Sequence, residues 1–417
     1  MADWHLWLPP ALGKPRFRIY VAGHTVSVIG GWIQQVALSW LVFRLTGSMF
    51  LLGLTGFLLN IFYLLLGPVA GLAADRMPRL PLLIAIDVVL ASLSALLALM
   101  AMRGVASIEA YLLVATAIGI ANAFEMPVRQ TLFKDIVEER ALITSAIAVS
   151  AMVFNLGRIV GPAVAGVLLV YVSEAWCFLI NAASYGAIIA ALLAMRLPPR
   201  PAAAAATATP QGFAASVSVL LSFPAVRYLL LPTVVAIGLF ATPYVHLMPS
   251  VVAHFFDGRS STVGLLMSAS GIGALAMATY LSLQPGYGRQ IRLVSVAPLA
   301  VGLIVVLFAW CRHLWLALPL IAALGASILV SVNSTNALLQ QSVPDAWRGR
   351  AIALYSMAFA GTAPLGAMLA GTLADRIGLA PTLTLNGLMI IAAGLLARWR
   401  LHNHPEALRG LMRSLSR

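Results

Sequence analysis

Thirteen acidic and 26 basic side chains are spread over 417 residues. Those standing inside apolar sequence come first, because a charge in that setting is costly and is retained for a task. Arg158 lies in the middle of the apolar run 142–171, one helical turn from Asn155 and on the same face. It would line a cavity or pair with an acid. Asp87, about 10 Å from the start of the run 81–102 at 1.5 Å per residue, could be that acid or a proton carrier. It could equally pair with arginines at the membrane face and close a gate. Glu125 and Arg129 are i, i+4 partners near the end of the run 110–130 and read as part of a gate. Gln34, Asn333 and Asn336 bring amides into apolar surroundings, where they could bond a substrate or join helices. His24 and His246 each stand alone in a run and read as hydrogen-bonded spectators.

The chemistry open to this set is ion pairing, proton binding and hydrogen bonding. No Walker A loop occurs, since the only Gly-Lys pair, Gly13-Lys14, is followed by Pro15. Neither His-Glu-x-x-His, Cys-x-x-Cys nor Gly-x-Ser-x-Gly is present. An ATP-driven pump and an intramembrane enzyme are thereby excluded. Two cysteines, Cys177 and Cys311, make neither a disulfide scaffold nor a metal site. No catalytic group, cofactor or metal is expected.

The elements that must position these residues follow from composition. With 61% apolar and 9% charged residues and a mean hydropathy of +0.96, the bilayer is the solvent for most of the chain. Twelve near-continuous apolar runs, from 19–43 to 380–398, predict an all-α polytopic protein of twelve transmembrane helices. A β-barrel would alternate instead. Twenty of the 26 basic residues fall in one alternate set of connections and five in the other, with Arg158 inside a span. The positive-inside rule then puts both termini in the cytoplasm. The net charge of +13 is explained by that placement, so no nucleic acid partner is expected.

A Pro and Ala segment after Leu197 cannot span and reads as a tether. It divides the chain into an N-terminal six-helix bundle (1–197), a linker with a short surface helix (198–225) and a C-terminal six-helix bundle (226–417).

At the end of span two, Gly71-Leu-Ala-Ala-Asp75-Arg76-Met-Pro-Arg79 resembles the loop signature of the major facilitator superfamily, Gly-x-x-x-Asp-Arg-x-Gly-Arg-Arg/Lys. Pro78 stands for the usual Gly and Leu80 for the last basic residue. Asp375-Arg376 after span eleven looks similar but falls on the outer side. In span five, Gly157, Gly161, Pro162 and Gly166 resemble the superfamily's antiporter motif, Gly-x-x-x-Gly-Pro-x-x-Gly-Gly, with Ala165 for one Gly. Span one and the segment Phe124 to Gln130 are similar to the branch of siderophore and drug exporters. That branch often has an acid where Gly31 stands.

The resemblance implies two bundles in alternating access, with Gly71, Asp75, Arg76, Arg79, Glu125 and Arg129 as one gate on the cytoplasmic face. Asp87, Asn155, Arg158, Gln34, Asn333 and Asn336 are the coupling or cavity candidates. The expected function is export of an amphiphilic, siderophore- or drug-like small molecule across a bacterial inner membrane, by a monomer exchanging protons. Uptake of a polar metabolite is the alternative, and a non-transporting receptor or scaffold the remote one.

Overall fold

A computed structural model of the chain describes residues 9–195, 213–224, 226–283 and 287–403. The tether expected at 198–212 lies outside the described residues. Twelve helices among the described residues are long and apolar enough to cross a membrane. Spans one to six are Pro15–Thr46, Met49–Arg76, Arg79–Met102, Ile108–Val137, Ile143–Tyr171 and Glu174–Ala194. Spans seven to twelve are Leu231–Phe255, Ser260–Leu281, Arg292–Ala309, Leu314–Ser342, Arg350–Ile377 and Leu379–Arg400. The count matches the apolar runs, because in hydrocarbon every backbone N–H and C=O must be satisfied within its own helix.

Large apolar side chains such as Leu113 are exposed along the helices, the outward apolar surface that lipid requires. Tyr171, Trp176, Trp310, Trp315 and Trp399, all exposed, sit at or near helix ends, where aromatic rings prefer the membrane interface. Span seven is broken by a change of helix type. It continues to Phe255, because the apolar sequence does. Inside it, Ile237–Ala241 is a π-turn whose closing bond runs from the Thr242 N–H to the Ile237 carbonyl at 3.2 Å. Pro243 follows and offers no N–H to continue an α-helical ladder. The short apolar segment before span seven is helical over Phe213–Ser222.

The chain divides into two compact units whose borders differ from a simple six-plus-six cut. The first comprises Met1–Thr46, Phe62–Thr207 and Arg259–Ser268; the second comprises Gly47–Ile61, Ala208–Gly258 and Ala269–Arg417. The opening turns of span eight therefore cluster with the first unit, and those of span two with the second. Within the first unit, span one packs along spans five and six, and span three along spans four and six. A network of amides and hydroxyls joins them: Asn181 donates to Gln34 at 2.9 Å and to Ser94 at 3.2 Å, and Ser184 donates to Asn181. Arg44 donates two bonds to Glu174, fastening the end of span one to the start of span six. In the second unit, Leu220 of the surface helix enters a core with Leu230, Val234, Leu338 and Tyr355.

Candidate functional site

Four ionisable groups of the first unit converge. Asp87 of span three, Glu125 and Arg129 of span four and His24 of span one each lie about 12 to 18 Å from the arginine-rich end of their helix, at 1.5 Å per residue. That shared depth lets three helices bring them to one place.

Arg129, 7% exposed, is the hub. Its guanidinium donates to Glu125, one helical turn away, and to Asp87 at 3.4 Å. A second guanidinium nitrogen stands 2.7 Å from Nδ1 of His24. Arginine can only donate, so Nδ1 is the acceptor and the ring proton lies on Nε2. The His24 ring is stacked on Tyr20, centroids 5.2 Å apart, and Phe133 closes edge-on over Tyr20. Asp87 is fully buried. One of its oxygens meets Arg129 and the other has no donor among the described residues. Glu125 and Asp87 both meet the Arg129 guanidinium through the same nitrogen. Two carboxyls thus share one guanidinium, and a single bound proton makes the set neutral.

This arrangement corrects two expectations. Asp75, Arg79, Glu125 and Arg129 do not form one cluster. Arg79 pairs instead with Asp135 of span four at 3.1 Å, while Asp75 and Arg76 are exposed. Arg129 sits two turns inside the helix end, too deep to reach the loop, and turns to Asp87. Of the two partners open to Asp87, the structure brings to it not Arg158 but an arginine counted with the membrane face, Arg129, while Arg158 is half-buried along span five. His24 joins the cluster, although a solitary histidine gave no such signal. Its depth, equal to that of Asp87 and Arg129, was the clue available.

The other candidates are dispersed. Gln34 is held in the amide network with Asn181. Asn155 donates to the Ala151 carbonyl, and Asn336 accepts from Gln340, both within their own helices. Asn333 is exposed. Gly71 has open space beside it. In span five, side chains at Gly157 and Gly161 would strike Val28 and Trp32 of span one, so these glycines serve packing inside the first six helices. Gly166, by contrast, lies against Gly264 of span eight, where the Pro162 carbonyl also meets Gly264. The motif therefore faces two different helices rather than one.

Comparison with known proteins bears on this geometry. The sequence profile described as "Transmembrane secretion effector" matches residues 8–409. The staphyloferrin A transporter of Staphylococcus aureus is 25% identical over 381 residues, covering 87% of this chain and 90% of that protein. The multidrug efflux pump Tap of Mycolicibacterium fortuitum is 27% identical, covering 88% and 91%. The macrolide efflux protein A of Streptococcus pyogenes is 24% identical, covering 91% and 94%. Among solved structures, the nucleoside transporter NupG superposes with a TM-score of 0.71 at 15% identity, covering 93% of this chain and 99% of that one. A bacterial homolog of the lysosomal transporter Spinster, inward-facing and unoccupied, gives 0.67 at 13%, covering 96% and 98%. The fold is that of the major facilitator superfamily, whose members here are transporters of small molecules and not enzymes. The chain is a multi-pass membrane protein that belongs to the transmembrane secretion effector family of that superfamily.

Proposed function

We propose that this transporter exports an amphiphilic small molecule across the bacterial cytoplasmic membrane in exchange for protons, with both termini in the cytoplasm. The single observation that carries the coupling is the Asp87, Glu125 and Arg129 set, in which a fully buried acid and a half-buried one compete for one cation. A proton taken up by Asp87 leaves Arg129 to Glu125 and His24; its release draws the guanidinium back toward Asp87. The protonated and deprotonated forms then favour different side-chain arrangements, which is the differential interaction a coupled conformational change requires. Export is supported by the relatives, named for siderophore, multidrug and macrolide transport. An amphiphilic substrate agrees with those names and with the few charges buried in the spans. Asp75 and Arg76, exposed on the arginine-rich face, are the remaining gate candidates on the cytoplasmic side.

The test is transport in proteoliposomes with an imposed pH gradient, screened over siderophores, dyes and macrolides. Gradient-driven movement out of the cytoplasmic-equivalent compartment that disappears in Glu125→Gln supports the reading. Movement that ignores the gradient, or uptake in the opposite direction, overturns it.

A further inference from the structure

The hexapeptide at the end of span two, Gly71-Leu-Ala-Ala-Asp75-Arg76, recurs at the end of span eleven as Gly371-Thr-Leu-Ala-Asp375-Arg376. Both share Gly-x-x-Ala-Asp-Arg, and both place the acid in the last turn of a spanning helix. A carboxylate there is at the wrong pole of its own helix, where unpaired carbonyls carry partial negative charge. It gains most by finding the opposite pole of another helix. In this structure the two copies differ. Both acids are exposed, but Asp75, among the described residues, makes no hydrogen bond or ion pair. Asp375 is fully engaged with the first turn of span two, inside the second compact unit. It accepts from the backbone N–H groups of Met49 at 2.8 Å and Phe50 at 2.9 Å, and from the Ser48 hydroxyl at 2.8 Å.

Ser48 could cap its own helix, and its hydroxyl oxygen does accept from Leu51 N–H at 3.2 Å. Two of the remaining orphan donors of the first turn are satisfied by a residue more than 320 positions away. The helices touch closely beneath this cap: a side chain on Gly371 would overlap the Met49 carbonyl, and one on Gly53 the Ala367 carbonyl. The joint is therefore two glycine contacts surmounted by a charged cap.

We propose that Asp375 is a latch: its carboxylate on the N-terminus of span two holds the ends of spans two and eleven together on the arginine-poor face, the face assigned above to the outside. The proposal rests on alternating access but on neither the direction of transport nor the coupling ion. Opening that face must strip three hydrogen bonds from one carboxylate and re-expose the first turn of span two to solvent. The glycine contacts alone give no such threshold, since van der Waals contact weakens gradually as helices part.

The latch is tested by distance, without substrate or pH gradient, so its failure is distinct from failure of the export reading. Spin labels at Phe50 and Ile377, exposed by 38% and 50%, flank the joint in a full-length chain carrying Cys177→Ala and Cys311→Ser. The unmodified joint should give a short distance as the main population. Asp375→Ala should raise the ratio of long to short distances by about tenfold or more, the scale of a charge-assisted cap. Asp375→Asn, which can still accept from backbone N–H groups but lacks the charge, should fall between. Ser48→Ala should give a smaller shift in the same direction. If Asp375→Asn and Ser48→Ala both leave the distribution unchanged, the carboxylate is not a latch, whether or not Asp375→Ala inserts.

Discussion

Asp87 and Arg129 are partners, yet removing one should be far more damaging than removing the other. Asp87 contributes one long contact, 3.4 Å, to the guanidinium and leaves its second oxygen without a donor among the described residues. A charge-assisted N–H···O bond is normally about 2.7 to 2.9 Å. Asp87→Asn keeps the volume, removes a poorly satisfied buried charge and leaves Arg129 with Glu125 and His24. Its effect on folding stability should lie within about 1 kcal/mol of zero, in either direction. Arg129→Met, of similar length, takes the only cation from two acids and orphans the His24 acceptor. Breaking a buried pair from that side costs about 3 to 5 kcal/mol. Thermal unfolding of the detergent-solubilised protein, followed by loss of the monodisperse peak on heating, reads the stability. Gradient-driven efflux and substrate counterflow read function on the same preparations. Asp87→Asn should unfold near the parent temperature, lose gradient-driven efflux and retain counterflow. Equal destabilisation by the two substitutions, or full gradient-driven efflux in Asp87→Asn, would refute the reasoning.

Three other substitutions have defined outcomes. Asp75→Asn should leave thermal stability unchanged, because the side chain is exposed, and should slow transport if the span-two loop gates; parental rates would remove it from the gate. Gly166→Leu should insert normally yet slow transport, since the side chain would be driven into the backbone of Gly264, and surface-expression blots alongside efflux rates check both halves. Arg44→Ala strands the buried Glu174 carboxylate and should cost about 1 to 3 kcal/mol of stability without altering the pH dependence of transport, which makes it the control for a purely structural ion pair.

The sequence by itself determined the number of spans, their helical nature and the class of protein. Those properties are local: each run of about 20 apolar residues must close its own backbone bonds in lipid, whatever its neighbours do. The loop signature around Asp75 and the glycines of span five were legible for the same reason, as short patterns within one helix. Tertiary structure alone decided the partners. Arg129 and Asp87 lie 42 positions apart, and Arg129 and His24 lie 105 apart, so their meeting depends on how spans one, three and four rotate against each other. Rotation about a helix axis leaves hydropathy unchanged when the helix is apolar nearly all round, so the sequence could give depth but not facing. That is why Arg158, at mid-depth, looked like the partner of Asp87, and why Gln34 looked like a cavity residue before Asn181 claimed it. Asp375 shows the same limit from the other side. Its motif was visible beside that of Asp75, but only the folded chain brings the start of span two beneath it, because Ser48 marks a helix start without saying which distant acid will reach it.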